Sequence, residues 1–167
     1  REQAVAAADT LGRYLPEEEA DLPASGFGLV TLHRPANVDR PEVLAPLVET
    51  LEQVSERLPL VFPVHPRTRH ALEAVRYPAG RAHPIWLLPP VGYLEMLGLL
   101  SASRLVLTDS GGMQEETTAL GIPCLTLRAN TERPVTLDQG TNTLTGIDRA
   151  RILGTVDDIL ATGGKAG

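Results

Sequence analysis

Short apolar runs alternate with segments of helical periodicity along most of this chain, and the alternation restricts its fold more than any other feature. Apolar runs that predict strands cover residues 28–32, 60–64, 85–88, 105–107 and 123–127. Apolar residues three and four positions apart predict helices over residues 1–15, 41–58, 72–75, 93–100, 114–120 and 148–160. Because parallel strands need long crossovers and helices usually supply them, this order predicts an α/β fold with a Rossmann-like, three-layer parallel sheet.

The length of 167 residues fits one domain. We interpret residues 1–167 as a single domain, with an N-terminal helix over residues 1–15 and a core over about residues 27–162. The polar stretch between residues 128 and 146 predicts a long loop with a small strand near residues 143–144. No apolar run reaches the roughly 20 residues of a membrane helix, and the N-terminus lacks the pattern of a signal peptide. We therefore expect a cytoplasmic protein that does not bind membranes.

Charge and cysteine content exclude several classes of protein. The formal net charge of -6 argues against the broad basic surface of a nucleic-acid-binding protein. A small anion such as a diphosphate needs only a few arginines and backbone amides, so that class of ligand stays open. Cys124 is the single cysteine and lies in an apolar segment, which indicates a packed core residue. The cysteine and the four histidines show no metal-ligand spacing, so we predict no metal site.

Residues that can contact a ligand follow each predicted strand directly. They are His33, His65, Pro89-Pro90, Asp109-Ser110-Gly111-Gly112 and Arg128. Because ligands of parallel α/β sheets bind at the carboxyl ends of the strands, these residues predict a binding site along one edge of the sheet.

Residues 108–116, Thr-Asp-Ser-Gly-Gly-Met-Gln-Glu-Glu, form the sharpest local motif. We interpret residues 108–112 as a polar loop before a helix. Glycine allows close approach of a ligand to the backbone, and a helix start presents free amides to an anion, so Ser110, Gly111 and Gly112 indicate a phosphate site. An ordinary capped helix start is the alternative.

Other polar residues carry weaker signals, each with a plain alternative. Neighbours on a helix such as Glu115 and Glu116 point about 100° apart, so one of them could bind a ribose while the other is solvated; an acidic first turn is the alternative. His33-Arg34, and His65 with the arginines that follow it, offer cations, or simply form a solvated surface. In the long loop Thr131-Glu132-Arg133-Pro134, a pairing of Glu with Arg could merely hold the loop shape.

Five motifs together resemble the C-terminal half of the non-hydrolysing UDP-N-acetylglucosamine 2-epimerases over about residues 28–148. The motifs are His33-Arg34-Pro35-Ala36-Asn37, Pro63-Val64-His65-Pro66, residues 108–116, Leu120-Gly121-Ile122-Pro123 and Thr131-Glu132-Arg133-Pro134. The resemblance implies one half of a glycosyltransferase type B (GT-B) fold, in which two Rossmann-like domains enclose the ligand. This chain then corresponds to the second domain, with the N-terminal domain absent.

The resemblance also implies roles for individual residues. Ser110, Gly111 and Gly112 are expected to hold the diphosphate of the substrate and Glu116 its ribose. The other implied substrate contacts are Pro90 and Met96 at the uracil, Thr131 and Arg133 at the border of the cleft, and Arg34 and His65 at the same edge. His33 matches a cleft histidine that the family needs for activity, while the family's proton-transfer carboxylates belong to the N-terminal domain.

The family interconverts UDP-GlcNAc and UDP-ManNAc by eliminating and re-adding UDP. The resemblance therefore implies an isomerase of polysaccharide biosynthesis that binds UDP and UDP-N-acetylhexosamine, needs no cofactor and forms a homodimer at full length. We expect this chain alone to be inactive. Two positions depart from the family: Ala36 replaces a glutamate of a regulatory UDP-sugar site, and Val135 replaces a common glutamate. Because Ala36 cannot accept a hydrogen bond, we expect that regulatory contact to be missing.

Two other interpretations stay open. The first is another UDP-sugar enzyme of GT-B architecture, either a glycosyltransferase or a hydrolysing epimerase. The second is a nucleotide-binding module without catalysis. A transferase would need an acceptor, whereas an epimerase would convert UDP-N-acetylglucosamine alone.

Overall fold

A computed structural model describes residues 4–15, 26–77 and 85–164, and its centre is a six-stranded parallel sheet. The strands are β1 (Gly28–Thr31), β2 (Leu60–Pro63), β3 (Ile85–Leu88), β4 (Leu105–Thr108), β5 (Cys124–Thr126) and β6 (Asn142–Leu144). Their order in the sheet is β3-β2-β1-β4-β5-β6. β1 pairs with β4 along its whole length, from Gly28 opposite Leu105 to Thr31 opposite Thr108. The predicted parallel sheet is confirmed.

Helices cover both faces of the sheet. They are α1 (Ala7–Tyr14), α2 (Pro35–Val38), α3 (Pro41–Ser55), α4 (Pro66–Ala74), α5 (Tyr93–Ala102), α6 (Gly111–Leu120), α7 (Val135–Asp138) and α8 (Arg149–Thr162). Core residues of α3, α4 and α8 pack on one face, and those of α1, α5 and α6 pack on the other. Among the helices that the structure describes, none has the length and apolarity needed to span a bilayer.

Consecutive residues of a strand point to opposite faces of the sheet, which explains why the strands are uninterrupted apolar runs. In β1, Leu29 packs with the α1, α5 and α6 layer, whereas Val30 packs with the α3, α4 and α8 layer. Cys124 in β5 is fully buried, as predicted for a core residue. Its burial raises the pKa of the thiol to about 12, because the thiolate is poorly solvated there.

Several predicted boundaries were wrong. The predicted loop over residues 108–112 ends earlier, since α6 already begins at Gly111 and both glycines lie in its first turn. α4 begins at Pro66 rather than near residue 72, and the short helices α2 and α7 occupy stretches predicted as loops. The predicted left-handed cap at Gly121 is confirmed by its φ of 72°. Residues 1–3 of the predicted N-terminal helix and residues 165–167 lie outside the described residues.

Candidate active site at the centre of the sheet

The predicted site residues gather where the order of the strands reverses. β1 pairs with β2 on one side and with β4 on the other. The chain therefore continues toward one edge of the sheet after β1 and toward the other edge after β4. Such a switch point opens a crevice at the carboxyl ends of the strands. His33 and Arg34 follow β1 there, and Asp109 and Ser110 follow β4.

Asp109 ties the two central strands together at this point. Its carboxylate is fully buried and accepts hydrogen bonds from the backbone amides of His33 (3.1 Å) and Arg34 (3.0 Å) and from Nδ2 of Asn37 (3.1 Å). Nε of Arg34 donates to the Asp109 carbonyl at 3.2 Å. Asn37 also donates to the carbonyl of Leu127, which follows β5. The segment of residues 33–37 is therefore fixed against three strands.

The start of α6 has the geometry of an anion site. Ser110 is the N-cap, and its Oγ accepts the amide of Met113 at 3.4 Å. Gly112 is exposed, while Gly111 is buried and lies beneath Arg133, whose guanidinium carbon would be 3.7 Å from an added Cβ. Because the first amides of a helix have no partner within the helix, this turn can present them to a phosphate below a guanidinium.

Gln114, fully buried in α6, fixes the loop that carries Thr131 and Arg133. Its Nε2 donates to the carbonyl of Ser110 at 3.2 Å, and its Oε1 accepts from Oγ1 of Thr131 and from Nδ2 of Asn142 in β6. Oγ1 of Thr131 in turn accepts the amide of Arg133 at 3.0 Å. One amide side chain thus sets the distance between the helix start and the Thr-Glu-Arg-Pro loop.

Two ion pairs surround the helix start, and both correct the interpretation of the sequence. Glu132 does not pair with Arg133, because it accepts two hydrogen bonds from the guanidinium of Arg128, at 2.6 and 2.9 Å. This partner lowers the pKa of Glu132 to about 2 and raises the pKa of Arg128. Arg133 pairs instead with Glu115, at 2.6 Å from Nε to Oε1. Glu115 is therefore an ion-pair partner rather than a merely solvated acid.

A cavity of about 180 Å³ adjoins the end of β1 and brings four predicted site residues together. It is lined by His33, His65, Pro90 and Met96, with Val91 between the last two. His65 is also the N-cap of α4, where its Nδ1 accepts the amide of Arg67 at 3.2 Å. The cavity is mainly apolar with two imidazoles, which suits a flat heterocycle with polar edges.

The site residues thus form two groups. His33, His65, Pro90 and Met96 line the cavity, whereas Ser110, Gly111, Gly112, Thr131 and Arg133 belong to the region around the start of α6. Glu116 is half-buried in α6, one residue beyond the Arg133 partner Glu115. Asp109 connects the two groups, because it precedes Ser110 in the chain and holds the backbone of His33. Arg34 instead lines a separate cleft of about 480 Å³, together with Ala36, Asn37 and Arg128.

The sequence analysis did not predict that Asp109, Asn37 and Gln114 hold the site together through hydrogen bonds. The available signal was their type and place: an acid between a buried strand and a helix cap, and amides inside two of the polar motifs. Within residues 4–15, 26–77 and 85–164, no group of three or more histidine, cysteine, aspartate and glutamate side chains is placed to hold a metal ion.

Comparisons with known proteins agree with this geometry. The family model described as UDP-N-acetylglucosamine 2-epimerase matches residues 4–166. The chain is 45% identical over 138 residues to the UDP-N-acetylglucosamine 2-epimerase of Methanococcus maripaludis, covering 80% of this chain and 38% of that protein. It is 44% identical over 129 residues to the UDP-2,3-diacetamido-2,3-dideoxy-D-glucuronate 2-epimerase of Pseudomonas aeruginosa, covering 77% of this chain and 35% of that protein.

A solved structure has the same fold. It is the UDP-GlcNAc 2-epimerase of Methanocaldococcus jannaschii in complex with UDP-GlcNAc and UDP, matched with a TM-score of 0.74 and 38% sequence identity over 81% of this chain and 38% of that chain. The described residues thus have the Rossmann-like fold of one half of a GT-B protein. The chain spans less than two-fifths of the length of these relatives.

Proposed function

The chain belongs to the UDP-N-acetylglucosamine 2-epimerase family, and from that premise we propose that it is the UDP-binding half of an enzyme that interconverts UDP-GlcNAc and UDP-ManNAc. One observation carries the proposal. Four of the family's five motifs, which are spread over a hundred residues of sequence, contribute residues around one switch point of the sheet, next to a helix start suited to an anion and a small apolar cavity.

We assign the parts of the nucleotide to the two groups of site residues. The cavity with Pro90 and Met96 would take the uracil, and the α6 start at Ser110 the diphosphate. Glu116 would accept hydrogen bonds from the two ribose hydroxyls. A helix dipole contributes only about 0.3 to 1 kcal/mol, whereas micromolar binding needs about 8 kcal/mol. Arg133 would therefore have to supply charge and further hydrogen bonds.

The proposed reaction removes the proton on carbon 2 of the sugar, expels UDP and adds UDP again to the turned intermediate. This half of the enzyme would stabilise the departing diphosphate through the helix start and the arginines. The acids and bases at carbon 2 would come from a preceding domain. The proposal includes neither a metal nor another cofactor.

Setting and assembly are further parts of the proposal. The family resemblance supports an enzyme of polysaccharide biosynthesis that acts as a homodimer in the cytoplasm. Sedimentation of the full-length protein tests the dimer. A monomer at the concentration at which the enzyme turns over would refute this part alone.

Epimerisation in deuterated water tests the proposed reaction. The full-length protein, given UDP-N-acetylglucosamine and no acceptor, should form the manno epimer with deuterium at carbon 2. The chain described here should bind UDP but should not exchange that proton, because the proton-transfer groups are expected elsewhere. Exchange by this chain alone would contradict that division of roles, and absence of exchange by the full-length protein would favour a binding module.

A 2-epimerase of a more modified UDP-sugar is a second candidate. The 44% identity to the Pseudomonas enzyme named for UDP-2,3-diacetamido-2,3-dideoxy-D-glucuronate supports it, because that value nearly equals the identity to the Methanococcus relative. The uracil, ribose and diphosphate are shared by both substrates, so the residues described here suit either. Comparing kcat/KM of the full-length protein for the two UDP-sugars separates the candidates.

A further inference from the structure

The buried carboxylate of Asp109 lies beside the imidazole of His33. Nδ1 of His33 lies 3.3 Å from Oδ1 of Asp109. A carboxylate only accepts hydrogen bonds, so the nitrogen that faces it has to present a hydrogen. In the neutral imidazole the proton is then on Nδ1, and Nε2 has the free electron pair.

His33 would have little to hold its ring without this contact. The imidazole is 54% exposed, and the neighbouring residues fix the backbone rather than the ring. The same carboxylate accepts hydrogen bonds from the backbone amides of His33 and Arg34. Asp109 therefore contacts both the backbone and the ring of His33. Because Nδ1 faces Asp109, Nε2 is the ring nitrogen left for a ligand of the cavity that His33 lines.

His65, which lines the same cavity, has the opposite arrangement. Its Nδ1 accepts the amide of Arg67 at 3.2 Å and therefore has no proton in the neutral ring. The proton of neutral His65 is on Nε2. The two histidines that line the cavity thus have opposite partners at Nδ1, a carboxylate at His33 and a helix-cap amide at His65.

We propose that Asp109 is a positioning residue that keeps His33 in the Nδ1-protonated tautomer and turns Nε2 toward the nucleotide-sugar. Its expected effect on turnover rests on the proposed function, whereas the tautomer is a property of this chain itself. Asp109 does not touch the substrate. Its proposed effect on turnover is exerted through His33.

Nitrogen NMR of the histidine rings tests the tautomer directly. We expect the ¹⁵N-labelled chain at about pH 8, where ordinary histidines are neutral, to show a protonated Nδ1 in His33 and a protonated Nε2 in His65. The variant His33→Gln assigns the signals. A wild-type His33 with its proton on Nε2 would overturn the proposal.

Asp109→Asn is the matching substitution, because it keeps the shape of the side chain. The amide side chain of this variant can still accept the amide of Arg34 through its oxygen while its NH₂ group faces Nδ1 of His33. We expect the proton of His33 to move to Nε2, with His65 unchanged as the internal control. An unchanged His33 pattern would refute the assignment.

Asn37→Ala controls for general loosening of the network. It removes one hydrogen bond to the same carboxylate and leaves the charge and the His33 contact in place. We expect the tautomer of His33 to stay as in the wild type. If Asn37→Ala shifts it as far as Asp109→Asn does, the tautomer depends on overall order and the specific role of Asp109 is wrong.

Kinetics of the full-length protein test the consequence for catalysis. Asp109→Asn should lower kcat by about 10- to 100-fold, less than the roughly 100- to 10,000-fold loss expected for removing an acid–base group itself, with KM changed less than about threefold. An unchanged kcat, or a loss confined to KM, would contradict the positioning role. If the wild type does not epimerise at all, the proposed function fails, and the ring nitrogens of His33 still decide the inference about Asp109.

Discussion

Glu115 and Glu116 are adjacent in α6 but have different surroundings, and this difference leads to a prediction at the scale of single residues. Glu115 is an exposed partner of Arg133, and such surface pairs contribute at most about 1 kcal/mol. Glu116 is half-buried and is the proposed ribose acceptor. We expect Glu116→Gln to weaken UDP binding of the full-length protein by about 1 to 3 kcal/mol, measured by calorimetry. Glu115→Gln is the matched control, and equal losses would contradict the assignment.

A second prediction concerns the pKa of Glu132, which pairs with Arg128. Arg128 is the main cause of the low pKa of Glu132, about 2 instead of 4.5, so Arg128→Gln should raise that pKa toward 4.5. Carboxyl-carbon NMR of Glu132 during an acid titration measures it. Because the folded-state pKa is depressed, the stabilisation by this pair is complete above pH 4.5 and is lost as the pH falls through about 2.

Arg133→Gln is the control for this titration. Arg133 pairs with Glu115, so its loss should leave the pKa of Glu132 close to about 2. A similar rise in both variants would mean that the net positive charge of the cleft, and not the hydrogen-bonded pair, sets the pKa.

At the scale of elements, β1 to β5 were predictable because each is part of a short apolar run. Helices α2 and α7 were not, since each has four residues, lies in a polar stretch and leaves no apolar periodicity to detect. The start of α6 was missed for a related reason, because Gly111 and Gly112 have no side chain to show a helical face.

The site was predictable only in part, again for physical reasons. The edge of the sheet and the ligand-facing residues follow from chain order, since parallel strands end on the same side. The network of Asp109 joins residues 72 to 76 positions apart, and that of Gln114 reaches residues 17 and 28 positions away. Local spacing carries no information about such contacts.

The packing of α1 on α5 depends on one glycine and provides a prediction for these elements. The backbone of Val5 crosses α5 so closely that a Cβ added to Gly98 would lie 1.6 Å from the Val5 carbonyl oxygen. We expect Gly98→Ala to destabilise the chain by about 1 to 3 kcal/mol, the usual cost of overpacking. Thermal unfolding should show it as a lower Tm, by about 2 to 4 °C per kcal/mol.

Gly154→Ala in α8 is the matched control, because nothing lies within 4 Å of an added Cβ at this helix-interior glycine. Alanine is favoured over glycine there by about 0.5 to 1 kcal/mol, so the Tm should rise. Two shifts of the same sign would show that helix propensity, and not the contact with Val5, determines the effect at Gly98.

At the scale of the whole molecule, we propose that the described residues form one wall of a cleft. The cavity, the start of α6 and the cations around it all face the carboxyl edge of the sheet. Arg133 and Arg128 are each paired with a glutamate. Part of the charge available for the proposed diphosphate is thus already neutralised within the chain, so we expect full affinity to need further cations from a facing domain.

We expect UDP to bind this chain alone, weakly and at the assigned place. If the facing domain supplies two charge-assisted contacts of about 1.5 to 3 kcal/mol each, their loss moves a micromolar ligand toward millimolar affinity. Titration by NMR is therefore the suitable measurement. Amide shifts should cluster in residues 91–96 and 110–116. They should be larger with UDP than with uridine, because the helix start is the proposed diphosphate site. If millimolar UDP moves mainly the amides of Arg67 and Arg69, or none in these segments, the site lies elsewhere and the proposed binding role of this half fails.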